Sequence, residues 1–214
     1  FRLLDKNIPK STDTILSKLK EMDFCYEKND VWTITNLGAI LFARSLNRFS
    51  SLSGREVVVR KYEGMNNRQL QFEQRGGLGY AVGFEGLIDF IMRNTGNEVI
   101  DVARNINPIY PRVAIREFVA NALIHQDFAI DGSPITIEIF SNRLVITNPG
   151  APLNNISRLL DLPPRSRNER LAQAMLLLNI CERRGSGVDR AIEAVEKMFL
   201  PEYEIGRASC RERV

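Results

Sequence analysis

Apolar residues recur along this chain with two periods, which predict helices in some segments and strands in others. Residues 12–22 (TDTILSKLKEM) carry apolar residues at helical spacing, and residues 36–43 form a second, shorter run of this kind. Two β-type runs lie between them, on either side of Asn29-Asp30, a pair typical of a hairpin turn. We therefore predict that residues 1–50 form a small helix-hairpin-helix segment resembling part of a winged helix. No cluster of arginine and lysine marks a DNA-reading helix here, so a packing subdomain and a DNA-binding one both stay open.

The next segment, residues 51–107, predicts one strand, a glycine-rich loop and one helix. Residues 55–62 (REVVVRKY) have the valine content of a strand, and residues 84–92 place apolar side chains at helical spacing. Residues 64–83 between them predict a loop that includes the stretch GGLGYAVG. Neither Lys-Ser nor Lys-Thr follows that stretch, so it lacks the pattern of a Walker A phosphate loop, and we interpret it as a mobile connection.

Residues 108–205 carry the densest pattern and predict a helix, a hairpin and two further helices. The run VAIREFVANALIHQDF predicts the first helix, while PITIEIF and RLVIT alternate around Ser141-Asn142 and predict the hairpin. The runs NERLAQAMLLLNI and VDRAIEAVEKMF predict the two later helices. Helices and antiparallel strands in this order are typical of an α+β fold.

Composition places the chain among ordinary globular proteins. The hydrophobic share is 44% and the charged share 26%, and no apolar run is long enough to predict a membrane span or a signal segment. The chain opens with Phe1 rather than Met, so we expect the native start to be missing. The three cysteines (Cys25, Cys181 and Cys210) are far apart without metal-ligand spacing, which favours idle thiols in a reducing, cytoplasmic compartment.

The net charge of +3 depends largely on the last residues of the chain. Residues 206–214 hold three arginines against one glutamate, a net of +2, and show no apolar periodicity. We interpret them as a non-native or truncated tail. The remainder is nearly neutral, so the overall charge gives little support for nucleic-acid binding.

Polar residues line one face of the first helix of residues 108–205. Glu117 and Asn121 are four residues apart, and His125 lies one further turn along, so all three project from the same side. A polar stripe on an otherwise apolar helix is exposed to solvent, paired with other polar groups or functional. The alternative that these residues simply form a solvent-exposed face is not excluded by the sequence. For His125, we expect a structural or supporting role.

Two glycine-containing turns supply further candidates. After the hairpin, Asn148 and Gly150 in the run ITNPGA could place an amide at a pocket floor with bare backbone beside it. Later, Gly185, Ser186 and Gly187 lead directly into a helix, where backbone N–H groups and the helix dipole favour an anion. A plain turn and a simple capped loop are the alternatives.

These three motifs, in this order, resemble the N, G1 and G2 boxes of the GHKL (histidine-kinase-like) ATPases. More closely, REFVANALIHQDF, ITNPGAPL, SRNERLA and ERRGSGVDRA resemble the C-terminal module of the RecG-related transcriptional regulator family, which follows an AlbA-like (Schlafen-type) domain. The resemblance spans about residues 108–205 and, more loosely, residues 30–107. It implies a two-layer α/β sandwich of Bergerat type.

The resemblance also implies a role for each candidate residue, with ATP and Mg²⁺ as cofactors. Asn121 would hold Mg²⁺ on the phosphates, and Glu117 would be the catalytic residue that orients or activates water. The phosphates would lie against Gly185, Ser186 and Gly187. Asn148, beside Gly150, stands where active members have an aspartate that accepts the adenine amino group.

The leading hypothesis is therefore an ATP-binding regulatory module, at most a weak ATPase, in a DNA-binding regulator. DNA contacts are expected through domains outside this chain, and self-association into a homo-oligomer stays open. A helicase motor is not expected, because the chain contains no GxxxxGK[ST] motif.

Two other functions remain as alternatives. A degenerate scaffold or dimerisation module would keep the fold without binding ATP, as the asparagine at position 148 suggests. Direct nucleic-acid binding would use the seven arginines of residues 158–190, which are interleaved with four acidic residues.

Overall fold

The computed structural model describes residues 11–95, 97–98, 106–107, 109–151, 166–181, 186–197, 204–205 and 210–213. Within them the helices are α1 Thr12–Glu21, α2 Asn36–Phe42, α3 Tyr80–Thr95, α4 Arg112–His125, α5 Glu169–Leu177 and α6 Ser186–Lys197, with short 3-10 helices at Leu46–Arg48 and Ser50–Leu52. The strands are β1 Cys25–Lys28, β2 Val31–Ile34, β3 Val57–Tyr62, β4 Leu70–Gly76, β5 Asn97–Glu98, β6 Ile106–Asn107, β7 Ile135–Ile139, β8 Leu144–Asn148, β9 Glu204–Ile205 and β10 Cys210–Arg213. The predicted α+β class is confirmed. None of these helices has the length and apolar character needed to cross a membrane.

The helix-hairpin-helix order predicted near the amino end is present in α1, β1, β2 and α2. Asn29 and Asp30 both have positive φ, at 51° and 60°, which is the backbone of a type I′ hairpin turn. The Thr35 hydroxyl oxygen accepts a hydrogen bond from the Gly38 N–H at 3.0 Å and so caps α2. A winged, DNA-reading role for this segment stays a prediction.

One mixed sheet organises the rest of the fold. Its central strands run in the order β4-β3-β7-β8, with β3 parallel to β7 and the two outer pairs antiparallel. The predicted connecting region supplies β3 and β4, and the predicted nucleotide-binding region supplies β7 and β8. Residues 51–107 are therefore more than a connection, because they contribute half of these four strands.

The core lies on the sheet face that packs against the helices. The register places Val59 beside Ile137 and Ile137 beside Ile146, so that apolar side chains of three strands form one row. All three are buried, together with Ile115 and Phe118 of α4. Burial of this row, at about 25 cal/mol per Å² of apolar surface, is what holds α4 on the sheet.

The glycine-rich loop predicted for residues 64–83 is wrong in part, because Leu70–Gly76 forms β4. The sequence of this strand, LQFEQRG, alternates apolar and polar residues only over its first four positions, and nearly all of its side chains are exposed. It is a terminal strand of the sheet, so packing imposes no pattern on its outer side. The strand is recognised from its hydrogen-bonded pairing with β3.

Residues 210–213 run antiparallel to β8, and residues 204–205 run beside them. The fold does not test whether residues 206–214 belong to the native sequence. The interpretation of this segment as a non-native tail stays a prediction.

A pair of helical glycines gives a stability test of this packing. A Cβ at Gly38 would lie 2.1 Å from the Phe24 carbonyl oxygen, whereas a Cβ at Gly86 in α3 would meet nothing within 4 Å. We expect Gly38→Ala to lower the free energy of unfolding by about 1–3 kcal/mol through overpacking. We expect Gly86→Ala to raise it by about 0.4–1 kcal/mol, since alanine restricts the unfolded chain. Urea denaturation measures both, and an equal effect of the two substitutions would contradict the placement of α2.

Candidate functional site

Helix α4 carries the first candidate residues on the side that the core leaves open. Glu117, Asn121 and His125 are each half-buried at four-residue spacing, whereas the neighbouring Phe118 and Leu123 are fully buried. The three polar side chains therefore form one stripe on a helix that also packs against β8, α5 and α6. The sequence also allowed a stripe that is fully exposed to solvent, whereas in the structure the stripe is half-buried.

Asn148 is the last residue of β8 and is only 3% exposed. Strand alternation puts its side chain on the same sheet face as Leu144 and Ile146, the face that packs against α4. Among the described residues, no hydrogen bond to its side-chain amide is found. A buried side-chain amide needs polar partners, so Asn148 is a candidate for a polar contact with a ligand.

Gly150 follows in a backbone conformation that favours glycine. Its φ is +114°, and a Cβ there would lie 2.8 Å from the Cβ of Asp127. The backbone N–H of Asp127 donates to the Pro149 carbonyl oxygen at 2.7 Å. The turn after β8 is thus pressed against the residues that follow α4, and any larger side chain at position 150 would separate them.

Arg167 joins these two turns from the segment that precedes α5. Its guanidinium donates to the Asp127 carboxylate at 2.8 Å and to the Ala151 carbonyl oxygen at 2.5 Å. The next residue, Asn168, donates from its amide nitrogen to the carbonyl oxygens of Ile124 and Gln126 at 2.7 and 2.8 Å. We call Asp127, Arg167 and Asn168 the α4–β8 clamp, because they hold the end of one element to the exit of the other.

The clamp was not among the predicted site residues. The motif SRNERLA, which contains Arg167 and Asn168, contributes to the family resemblance but does not by itself predict a site. Its partner Asp127 lies 40 residues earlier in the chain, so spacing alone does not connect them. The detectable signal was the short polar run Ser166-Arg167-Asn168 immediately before a helical pattern.

A second arginine fixes the loop after α4. Arg55 is 5% exposed and donates to the carbonyl oxygens of Phe128 and Ile130, at 2.7 and 2.9 Å, and to the Asp131 carboxylate at 3.1 Å. A buried guanidinium with several acceptors is well suited to holding an irregular loop in one shape. The loop that leads from Asp127 of the clamp toward β7 is therefore well supported.

Electrostatic effects show what lies near each end of the stripe. Burial, together with the negative charge of Glu117, raises the pKa of the Cys181 thiol to about 11. Burial lowers the pKa of His125, and the positive charge of Arg167 lowers it further. Glu117 therefore lies toward Cys181, just beyond α5, and His125 lies toward the clamp.

The structure describes two residues of the later glycine motif, residues 185–187. Helix α6 begins at Ser186, so Ser186 and Gly187 form its first turn, and α6 packs on α4. Gly185 lies outside the described residues. The prediction that this motif enters a helix is confirmed, and the N–H groups of that helix start are without intrahelical acceptors.

Two of the arginines of residues 158–190 form ion pairs within the chain. Arg167 pairs with Asp127, and Arg170 pairs with Asp23 of the amino-terminal segment. The arginines at 158, 165, 183 and 184 lie outside the described residues. The interpretation of this stretch as a nucleic-acid surface therefore gains no support from Arg167 and Arg170.

Comparison with known proteins identifies the family of this region. Residues 132–213 match the family model described as "Putative ATP-dependent DNA helicase recG C-terminal". That segment is a domain of this RecG-related family, and the predicted resemblance is confirmed there. The match includes Asn148, Gly150 and the motif at 185–187, and it begins after α4.

A solved structure shows the same fold over nearly the whole chain. The crystal structure of the DIP2311 protein from Corynebacterium diphtheriae matches with a TM-score of 0.71 and 21% sequence identity. The match covers 95% of this chain but 40% of that protein, so this chain spans less than half the length of its structural relative. No curated protein matches the sequence.

The clamp predicts unequal effects for two arginines of one segment. We expect Arg167→Ala to lower the free energy of unfolding by about 1–3 kcal/mol, because it leaves the Asp127 carboxylate and the Ala151 carbonyl without their donor. Arg170→Ala removes an exposed ion pair and should change it by less than about 0.5 kcal/mol. Chemical denaturation compares the two, and an Arg167→Ala protein as stable as Arg170→Ala would contradict the clamp.

His125 predicts a pH dependence that can be assigned to one group, because it is the sole histidine of the chain. Its lowered pKa means that the folded protein holds it neutral while the unfolded chain takes up a proton near about pH 6.5. The free energy of unfolding should therefore fall as the pH drops from about 7 to about 5. His125→Gln should flatten this decline.

The same titration can be followed by NMR of the imidazole protons. We expect the pKa of His125 below its ordinary value in the folded protein and nearer to that value in Arg167→Met, which removes the nearby positive charge. A pKa at or above the ordinary value in the unmodified chain would contradict the burial of this side chain.

Proposed function

We propose that residues 108–205 form an ATP-binding regulatory module of Bergerat type, in a protein that contacts DNA through parts outside this chain. The observation that carries the proposal is Asn148, a side-chain amide that is only 3% exposed at the end of β8 and is followed by the positive-φ turn at Gly150. It lies in a domain whose family description names ATP dependence. Helix α4, which carries the polar stripe, packs against the same strand.

The adenine end of the proposed site is the turn after β8. The Asn148 amide oxygen can accept a hydrogen bond from the adenine amino group, while the amide nitrogen can donate to a ring nitrogen. Gly150 lets the turn after Asn148 lie against Asp127, which occupies the space where a Cβ would project. The clamp supports this end by fixing the turn against the residues after α4.

The phosphate end is proposed at the start of α6 and at the middle of the α4 stripe. The motif Gly185–Gly187 precedes or opens α6, whose first N–H groups and dipole favour a negative charge. Asn121 is half-buried on the α4 stripe, and an amide oxygen is a hard ligand that suits Mg²⁺. The described residues contain no cluster of acidic, cysteine and histidine side chains that would bind a metal alone, so phosphate oxygens would complete the coordination.

Glu117 is the residue we assign to water. It lies on the stripe one turn before Asn121, and a carboxylate there could orient a water toward bound phosphates. Any hydrolysis would be slow, and the proposed output is a population shift between two arrangements of the attached domains.

Thermal unfolding tests this proposal. Mg²⁺ with a non-hydrolysable ATP analogue should stabilise the folded chain by about 2.7 kcal/mol at a hundred times its dissociation constant. We expect Asn121→Ala to abolish the Mg²⁺-dependent part of the shift and Asn148→Leu to weaken binding with and without Mg²⁺. Asn142→Ala, in the exposed turn between β7 and β8, is the matched control and should keep the full shift.

The alternative function predicts a different result. If the domain is a scaffold or dimerisation module that no longer binds ATP, the unmodified chain will show no shift at millimolar analogue. An equal shift in Asn121→Ala, Asn148→Leu and Asn142→Ala would show that the nucleotide binds elsewhere, and it would also overturn the proposed site.

A further inference from the structure

The outer edge of β4 offers the polar groups of its backbone to another strand. In the part of the chain that the structure describes, β4 pairs only with β3 and ends the sheet. Most of its side chains are exposed, and it is seven residues long. An exposed edge of this length is a template for a further strand.

The sequence of β4 is complementary to itself. If two copies of LQFEQRG run antiparallel with Gln74 opposite Gln74, Glu73 of each copy lies opposite Arg75 of the other. In the same register, Phe72 lies opposite Gly76, so that an aromatic ring meets a position without a side chain. Opposite charges and an aromatic beside a glycine are both favourable cross-strand pairs.

The faces of the strand agree with this pairing. The ladder with β3 puts Glu73 and Arg75 on one face, and Phe72, Gln74 and Gly76 on the other. A two-fold axis perpendicular to the sheet keeps each face on its own side, so the pairs formed across the axis face the same way. Glu73 and Arg75 already approach to 2.9 Å within one chain, and a second copy would extend this pair into a network of four charges.

Exposed apolar residues flank the same edge. Leu70, Leu78 and Val82 are 49%, 46% and 50% exposed, and the last two line a groove of about 320 Å³ between β4 and α3. In the register centred on Gln74, Leu70 of one copy falls opposite Leu78 of the other. The apolar side chains at the two ends of the edge would thus cover each other.

We propose that β4 is a self-association surface, where it pairs antiparallel with β4 of a second copy of this chain about a two-fold axis at Gln74. The two sheets then form one continuous sheet, with the helices of both copies on the same side. This proposal does not depend on nucleotide binding, since the edge and the candidate site lie on different strands.

Sedimentation velocity of the 214-residue chain over a range of concentrations tests the interface. We expect a monomer–dimer equilibrium in the unmodified chain. Gln74→Lys places two positive charges face to face at the axis and should remove the dimer. Gln71→Lys adds the same charge to the same strand, but in this register it lies opposite Gly77, and the dimer should persist.

A cysteine at the axis tests the register independently. Under mild oxidation, Gln74→Cys should form a disulfide-linked dimer on a non-reducing gel, because the two Cβ atoms at the axis face each other. Gln71→Cys, which does not face its own copy, should give no more cross-linking than the unmodified chain. Circular dichroism melting of each variant checks that it is folded.

Three results would overturn the proposal. A chain that stays monomeric at every concentration would leave the edge to a strand of another protein or of a longer form of this one. A dimer that survives Gln74→Lys would use a different surface. Equal loss of the dimer in both lysine variants, or equal cross-linking of both cysteine variants, would reject the register centred on Gln74.

Discussion

Arg167 connects three separate turns of the chain, and the places of the candidate residues on α4 and β8 depend on it. Its guanidinium holds the Asp127 carboxylate after α4 and the Ala151 carbonyl after β8, while Asn168 binds the last carbonyl groups at the end of α4. Hydrogen bonds to charged groups contribute about 1.5–3 kcal/mol when they are sheltered, and the half-buried position of this pair reduces that figure. The contact matters more for geometry than for total stability, because it sets the distance between the polar stripe and Asn148.

The clamp works only because the sheet first brings α4 over β8. The apolar row through Val59, Ile137 and Ile146 supplies the burial that holds the helix there. Arg55 then ties the loop after α4 back to the start of β3, so that the polar contacts complete an arrangement that apolar packing has made. Such a division of labour is usual, since apolar burial stabilises broadly and hydrogen bonds select one geometry.

The two proposed sites lie on opposite sides of the sheet. The candidate site is at the β8 side of the four central strands, and the self-complementary edge is at the β4 side. Binding at one side and association at the other can therefore occur together.

The sequence alone determined the elements whose signals are local. Helix α4 with its polar stripe, the hairpin of β7 and β8, and the helix that begins at Ser186 all follow from periodicity and turn residues within a dozen positions. The family of residues 132–213 was also recognisable from short motifs. The predicted site residues lie on these elements because the motifs are part of the same local patterns.

Tertiary structure decided the features that join distant segments. The parallel pairing of β3 with β7 links residues more than 70 positions apart, and the alternation in β4 is too short to predict a strand without its pairing with β3. The burial of Asn148 and the contact of Arg167 with Asp127 exist only once α4 lies on the sheet. A local pattern records which face of an element is apolar, but the element that covers this face is set by packing across the whole chain.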